Sequence, residues 1–309
     1  MFARTVTPMY HDIIDGLLQP AARISPKYFY DQAGSELFEA ITRQPEYYPT
    51  RTERALLEQR GEDIRVTVGN VLAVIEPGAG NAEKGRLLSS ILHPTHFVGI
   101  DISTEILQEG MRRLHGEQPD VDARAVTADL TKPLDLPEDI PQARRLVFYP
   151  GSSIGNFDPP QARQWLCHAR DWIDDTGGLL IGIDLPKDIA VLEAAYNDAA
   201  GVTARFNRNV LAHVNRLIGS DFDPLQWDHR AFFNQGESRI EMHLQARSVQ
   251  RVRWPGGGRE FVEGDCIHTE NSYKYPLSVF TSFLREAGFA RAKCWTDERE
   301  WFALVYAQP

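Results

Sequence analysis

Hydrophobic positions along the chain follow two alternating rhythms. From residue 71 an apolar run rich in β-branched residues, Val71-Leu72-Ala73-Val74-Ile75, ends in Glu76-Pro77-Gly78-Ala79-Gly80. A helical stripe follows at Leu87, Leu88, Ile91 and Leu92, and a second apolar run, Phe97-Val98-Gly99-Ile100, ends in Asp101. A strand, turn, helix and strand in this order predict two parallel strands. The rhythm continues with a helix over 104–114, a strand over 123–130 with Asp129 near its end, a strand from 145, a helix over 160–175 and a strand over 178–184. Strands alternating with helices predict a doubly wound α/β sheet covered on both faces. Ligands bind such sheets beyond the carboxyl ends of the strands, near the switch in strand order. Residues 76–80, Asp101, Asp129 and 151–156 are therefore expected to converge on one crevice.

The flanking segments read differently. Residues 8–22 carry Met9, Ile13, Ile14, Leu17 and Leu18 at helical spacing. In 27–62, two tyrosine pairs, Tyr28 with Tyr30 and Tyr47 with Tyr48, flank a short amphipathic helix. Aromatic side chains with polar tips build pockets for small polar ligands, and they also make packed arms. A long helix over 202–218 leads to strand-like segments over 227–233, 238–247, 249–254 and 259–262. The turns Asn234-Gln235-Gly236-Glu237 and Pro255-Gly256-Gly257-Gly258 separate them, so an inserted antiparallel meander is expected. A helix over 277–287 and strands over 290–295 and 301–307 return to the sheet.

Composition narrows the partners. The chain has 309 residues, 25% charged and 42% hydrophobic, as in an ordinary globular protein with one large or two modest domains. Its net charge of −10 leaves no basic stripe for phosphates, so neither nucleic acid nor a membrane surface is expected as a partner. Arg247, Arg251 and Arg253 read as the solvated face of a strand. Cys167, Cys266 and Cys294 form no CxxC pair, which suits a reducing compartment. The nine histidines have no metal-ligand spacing, so no metal is expected. The first 22 residues lack a signal-peptide pattern and no run has the length of a membrane span; the expected location is the cytoplasm.

The glycine turn reads as a nucleoside pocket. Gly78 and Gly80 allow positive φ and close approach of a ligand, and Asp101, about 20 residues on, can accept both hydroxyls of a ribose. A dinucleotide fingerprint and a P-loop both want glycine where Glu83 stands. Glu76 and Glu83 disfavour a polyphosphate and suit a positively charged ligand. S-adenosyl-L-methionine (SAM) carries an amino group and a sulfonium and no phosphate. The same residues also fit a glycine-rich turn that holds no ligand.

Longer blocks are more specific. Phe29-Tyr30-Asp31, Gly34-Ser35, Leu37-Phe38-Glu39, Ile41-Thr42 and Pro45-Glu46-Tyr47-Tyr48-Pro49-Thr50-Arg51-Thr52-Glu53 form one. Gly151-Ser152-Ser153-Ile154-Gly155-Asn156 forms a second, and the stretch from Ala195 through Leu211 a third. Arg239-Ile240-Glu241-Met242 and Thr269-Glu270-Asn271-Ser272 complete the set. Together they resemble the histidine Nα-methyltransferases of ergothioneine biosynthesis from residue 27 to the C-terminus. The resemblance implies a class I SAM-dependent methyltransferase, a Rossmann-like doubly wound sheet with an additional α+β substrate-binding domain. The expected SAM-binding domain is 63–196 plus 276–309, and the substrate domain 1–62 plus 197–275.

The resemblance also implies a site. SAM would contact Gly78, Lys84, Asp101, Asp129 and Leu130, and leave as S-adenosylhomocysteine. The amino-acid pocket would comprise Tyr47, Asn156, Tyr196, Met242, Glu270 and Ser272, with Tyr30 and Tyr47 as the catalytic pair that orients the amine. Asn156 and Tyr196 would fix the substrate carboxylate, and Glu270 and Ser272 would receive the imidazole. The family often carries Gly-Ser-Gly where this chain has Gly78-Ala79-Gly80, and Asp-Phe where it has Asp129-Leu130. The implied activity is trimethylation of L-histidine to hercynine by a monomer acting on a small molecule. Two alternatives stand beside it: a relative acting on another aromatic amino acid, and a SAM-binding module without turnover.

Overall fold

The computed structural model describes residues 10–130 and 134–309. In chain order, α1 (His11–Leu18), β1 (Ala22–Arg23) and α2 (Gln32–Thr42) precede the long α3 (Tyr48–Val68). Then come β2 (Ala73–Pro77), α4 (Glu83–Leu92), β3 (His96–Asp101), α5 (Thr104–Glu117), β4 (Asp122–Thr127), β5 (Arg145–Tyr149), α6 (Pro159–Asp171) and β6 (Gly178–Asp184). The third stretch holds α7 (Ile189–Tyr196), α8 (Val202–Ile218), β7 (Trp227–Asn234), β8 (Arg239–Ala246), β9 (Gln250–Trp254), β10 (Gly257–Phe261) and β11 (Cys266–Tyr273). The chain ends with α9 (Leu277–Glu286), β12 (Arg291–Thr296) and β13 (Phe302–Gln308). Met9, expected in the first helix, lies outside the described residues.

The chain divides into two compact units: Met1–Tyr48 with Asp188–Ser272, and Pro49–Lys187 with Tyr273–Pro309. These limits differ from the expected ones at two helices. α3 belongs with the second unit, because Leu56, Leu57 and Ile64 pack into its core and Asp63 accepts from Lys293 and the Trp295 indole. α7 belongs with the first, because Glu193 accepts from the Phe233 amide and Asn197, its C-cap, donates to the Ala231 carbonyl. Between Arg51 and Arg65 only Leu56, Leu57 and Ile64 are buried apolar side chains, set among many charges, so the sequence of α3 gives a weak helical stripe.

The second unit is the doubly wound sheet. Its order is β12-β13-β6-β5-β2-β3-β4, with β2 to β6 parallel and β13 antiparallel to both β6 and β12. β2 pairs with β3 on one side and β5 on the other, so the strand order reverses there. β2 and β6 are buried along their whole length, which explains their unbroken apolar runs. β4 ends at Thr127, so Asp129 and Leu130 stand in the loop beyond it rather than within the strand. α6 starts with Pro159 and a capping box between Asp158 and Gln161, which satisfies its first amides. At the end of β6 the buried Asp184 carboxylate meets two buried ammonium groups, Lys187 and Lys274, the latter at 2.7 Å. Burial pushes Lys187 down to about 8, against the pull of Asp184.

The first unit is smaller. Its four-stranded sheet has the order β1-β11-β8-β7, and β9 and β10 form a separate antiparallel ladder. The expected single meander is thus split, and β11 is a strand the periodicity did not reveal, its Thr-Glu-Asn-Ser run being polar. α8 lies over this sheet with Phe206, Val210, Leu211 and Val214 buried. Its N-terminal amides at Val202 and Thr203 donate to the Asp198 carboxylate at 2.7 Å each, where a helix favours negative charge.

Gly182 in β6 lets Glu53 of α3 lie against the sheet: a Cβ there would stand 2.0 Å from Glu53 Oε1. Gly182→Ala should therefore lower stability by about 2 kcal/mol or more, read from urea unfolding. Gly116→Ala, a helical position with nothing within 4 Å, should be neutral or stabilising by up to about 1 kcal/mol.

Candidate active site

The expected cofactor residues assemble at the carboxyl ends of β2, β3 and β4. Gly78 and Gly80 have φ of +68° and +52°, as the glycine pattern predicts, and nothing stands within 4 Å of a Cβ built on Gly80. A Cβ on Gly78 would approach Leu130 and Tyr149, each at 3.9 Å. The Gly78 amide donates to the Ile100 carbonyl at 2.7 Å, tying the turn to β3. The Asp101 carboxylate accepts from the amides of Gly80 and Ser103, at 2.9 and 2.8 Å, which aims it at the open side of the turn. The Ala128 amide donates to the Asp101 carbonyl, which brings the Asp129-Leu130 loop alongside. An open glycine turn beside a fixed carboxylate fits a nucleoside with free ribose hydroxyls.

Lys84 reaches across to Glu53, a fully buried carboxylate that also accepts from the Gly151 amide at 2.9 Å. This acid ties α3, α4 and the loop after β5 together. The sequence held it only as the last letter of a block, since a lone glutamate on a charged helix gives no signal of burial.

The two acids of the turn do not act as a matched pair. Glu83 is exposed and bonded to Arg54 at 2.6 Å. Glu76 is buried, its Oε2 has no hydrogen-bond partner among the described residues, and a Cβ on Gly85 would stand 2.1 Å from that oxygen. Burial pushes Glu76 up to about 8, with Glu53 and Asp101 adding to the effect and Lys84 opposing it. Burial thus favours the neutral form of Glu76, which weakens the charge repulsion of phosphate expected of it.

Most of the expected amino-acid residues lie in the first unit. Glu270 and Ser272 are buried on one face of β11, as alternate residues of a strand must be. The Tyr196 hydroxyl donates to Ser272 Oγ at 2.7 Å, so Tyr196 joins the pair expected at the imidazole. Met242 is buried on β8, beside β11 in the sheet. Tyr47 packs edge-on to Tyr196 and to Phe38, both at 6.3 Å between centroids. Tyr30 packs edge-on to Phe38 and Phe206 at 5.7 and 5.8 Å. The tyrosines that composition alone would assign to a packed arm thus form one aromatic cluster around Phe38 and Phe206. Asn156 ends the 3-10 turn Ser153–Asn156 in the second unit.

Among the described residues, Glu241, His243 and His268 bring possible metal ligands within 4.8 Å of one another. Their remaining bonds argue against an ion. Arg239 and Asn234 both donate to Glu241, His268 donates to the Glu270 carbonyl at 3.0 Å, and the two imidazoles stack at 16°, so their in-plane lone pairs do not converge. These donors hold the Glu241 carboxyl down at about 2, against its burial.

Comparison with known proteins decides the family. The model of the histidine-specific, SAM-dependent methyltransferases matches residues 9–309. The histidine N-alpha-methyltransferase of Mycolicibacterium smegmatis is 39% identical over 303 residues, covering 96% of this chain and 93% of that protein. The chain belongs to this family. The Mycobacterium tuberculosis protein of the same name is 38% identical with the same coverage. The solved structure of the PH0226 protein from Pyrococcus horikoshii shares the fold, with a TM-score of 0.50 at 13% identity over 91% of this chain and all of that one. The protein is a SAM-dependent methyltransferase of the class I fold.

In this methyltransferase the proton on Glu76 has a measurable consequence. Glutamate ionises near 4.5 when free and here only near 8, so between these values the native state holds a proton the unfolded chain has lost. The stabilising contribution is complete below about 4.5 and fades as pH rises toward 8, by up to about 1.4 kcal/mol per pH unit. Urea unfolding of Glu76→Gln should show a flatter pH dependence across this window. An unchanged slope would mean that native Glu76 is already ionised.

Proposed function

We propose that this enzyme is an N-methyltransferase that moves three methyl groups, one per turnover, from SAM to the α-nitrogen of L-histidine, giving hercynine for ergothioneine biosynthesis. The observation that carries the reading is the buried Glu270 and Ser272 on one face of β11, with the Tyr196 hydroxyl on Ser272. A carboxylate accepts from one imidazole nitrogen, and a hydroxyl donates to or accepts from the other. A side chain without such groups would displace water from the Glu270 carboxylate and offer no hydrogen bond in exchange, which penalises it. The names of the two mycobacterial relatives support the same substrate.

The chemistry asks the chain chiefly to hold its substrates. SAM supplies an electrophilic methyl on a sulfonium, and leaves as S-adenosylhomocysteine. In our reading Gly78, Lys84, Asp101, Asp129 and Leu130 hold it, Asn156 and Tyr196 hold the substrate carboxylate, with the Tyr196 proton turned from Ser272 to that carboxylate when the amino acid binds, and Met242 packs beside the bound amino acid. Tyr30 and Tyr47 orient the amine and offer their ring faces as it gains permanent charge. A free α-amine has a pKa of about 8, so a proton must leave before the nitrogen attacks. The first two transfers each shed a further proton, and the third gives a quaternary nitrogen with none left to lose. In-line placement of nitrogen, methyl and sulfur supplies most of the acceleration. The enzyme would work in the cytoplasm as a monomer, without metal, nucleic acid or membrane.

Incubation with SAM and a panel of amino acids, followed by mass spectrometry, should show one, two and three methyl groups added to histidine. Glu270→Ala should weaken histidine binding by roughly thirtyfold or more in calorimetry, as loss of a charged hydrogen bond implies. Equal or tighter binding of tryptophan or tyrosine by the native enzyme would reject histidine as the substrate.

A further inference from the structure

Behind the β11 face that carries Glu270 and Ser272 lies a chain of buried polar groups that the reading above does not use. Asn207 of α8 is fully buried. Its Nδ2 donates to the His243 carbonyl at 3.0 Å and lies 2.9 Å from His229 Nδ1, and its Oδ1 accepts from Thr269 Oγ1 at 2.8 Å. Thr269 Oγ1 also lies 3.0 Å from the Met242 carbonyl. His229 Nε2 lies 2.9 Å from the Tyr196 carbonyl.

Two carbonyls fix the orientation of the Asn207 amide and the tautomer of His229, while the Thr269 hydroxyl shares its one proton between Asn207 Oδ1 and the Met242 carbonyl. The His243 carbonyl demands an N–H, so the Asn207 amide points its nitrogen that way and cannot flip. Its other hydrogen then meets His229 Nδ1, which must be bare. The Tyr196 carbonyl demands an N–H from Nε2. Both constraints select the same neutral tautomer of His229, with the hydrogen on Nε2. Burial, with Arg208, lowers the pKa of this imidazole, against the pull of the Tyr196 carbonyl and of Asp198.

We propose that His229 and Asn207 are positioning residues for the amino-acid pocket: together they hold the backbone carbonyls of Tyr196 and His243 and the side chain of Thr269, the neighbour of Glu270 and itself bonded to the Met242 carbonyl, in one frame. Neither side chain needs to touch the substrate. His229 acts through Tyr196, and Asn207 acts through Thr269, whose side chain points away from the face that Glu270 and Ser272 share. The inference rests on the assignment of that pocket to histidine.

The test separates the two claims. Nitrogen-15 NMR of the native enzyme without ligand should show His229 as the neutral Nε2–H tautomer at pH 7. A cationic or Nδ1–H imidazole there would overturn the proposal whatever the substrate. Next, histidine and SAM affinities are measured by calorimetry for the native enzyme, His229→Leu and His229→Gln. His229→Leu should weaken histidine binding by about tenfold and leave SAM binding unchanged, since it removes the hydrogen bond from the ring to the Tyr196 carbonyl. The glutamine amide keeps a donor near the position of Nε2 and should restore most of that loss. Equal losses for both ligands, or no loss for histidine where the native enzyme binds it, would overturn the positioning role. Failure of the native enzyme to bind histidine would instead reject the substrate reading.

Discussion

Taking a carboxylate out of water costs several kcal/mol unless cations or donors meet it. The fold answers that cost differently at each buried acid, and these answers hold its working parts in place. Glu53 is met by Lys84 and the Gly151 amide, which ties α3 to the rim of the sheet. Glu241 is met by Arg239, Asn234 and His243. Glu76 has too little around it and keeps its proton instead. Two of these acids need a glycine to lie where they do, Gly182 for Glu53 and Gly85 for Glu76. Sequence features that look unrelated, a glycine in a strand and a glutamate on a helix, are therefore halves of one contact.

Methyl transfer by displacement tolerates little misplacement of the reacting atoms, so the groups behind a site matter as much as those lining it. Glu53 and its partners brace the loop after β5 and the start of α4. Asn207 and His229 tie α8 and β7 to β8, β11 and the end of α7 with hydrogen bonds between neutral groups. Both supports begin on helices and end on backbone groups of loops and strands. The aromatic cluster of Tyr30, Phe38, Tyr47, Tyr196 and Phe206 adds a third, built from edge-on ring contacts.

Much of the sheet was legible because parallel strands are buried on both faces and show as unbroken apolar runs between helical stripes. The glycine turn and the acid ending β3 were legible because positive φ and a strand-end carboxylate leave marks in residue type. α3 was not, because it buries few positions among many charges. β11 was hidden because three of its buried residues, Thr269, Glu270 and Ser272, are polar, with Thr269 and Ser272 bonded to groups on other elements, so no alternation of apolar and polar betrays it. The state of Glu76 was also out of reach: a charge inferred from residue type assumes water, and burial withdraws it. Tyr196 illustrates the middle ground. The family blocks raised the expectation that it faces the amino acid, whereas its bond to Ser272 needed the fold.

The Asp184 ion cluster carries a consequence for how the chain is threaded. The backbone leaves the sheet unit after Lys187 and returns at Tyr273, and the ammonium groups of Lys187 and Lys274 grip the same carboxylate. Departure and return are thus fastened at a single knot. Whatever lies between them is a closed excursion whose length and content can drift without tugging on the strands that carry the glycine turn. A lineage could remodel the excursion to suit a new amino acid while the methyl-donor half stayed as it was.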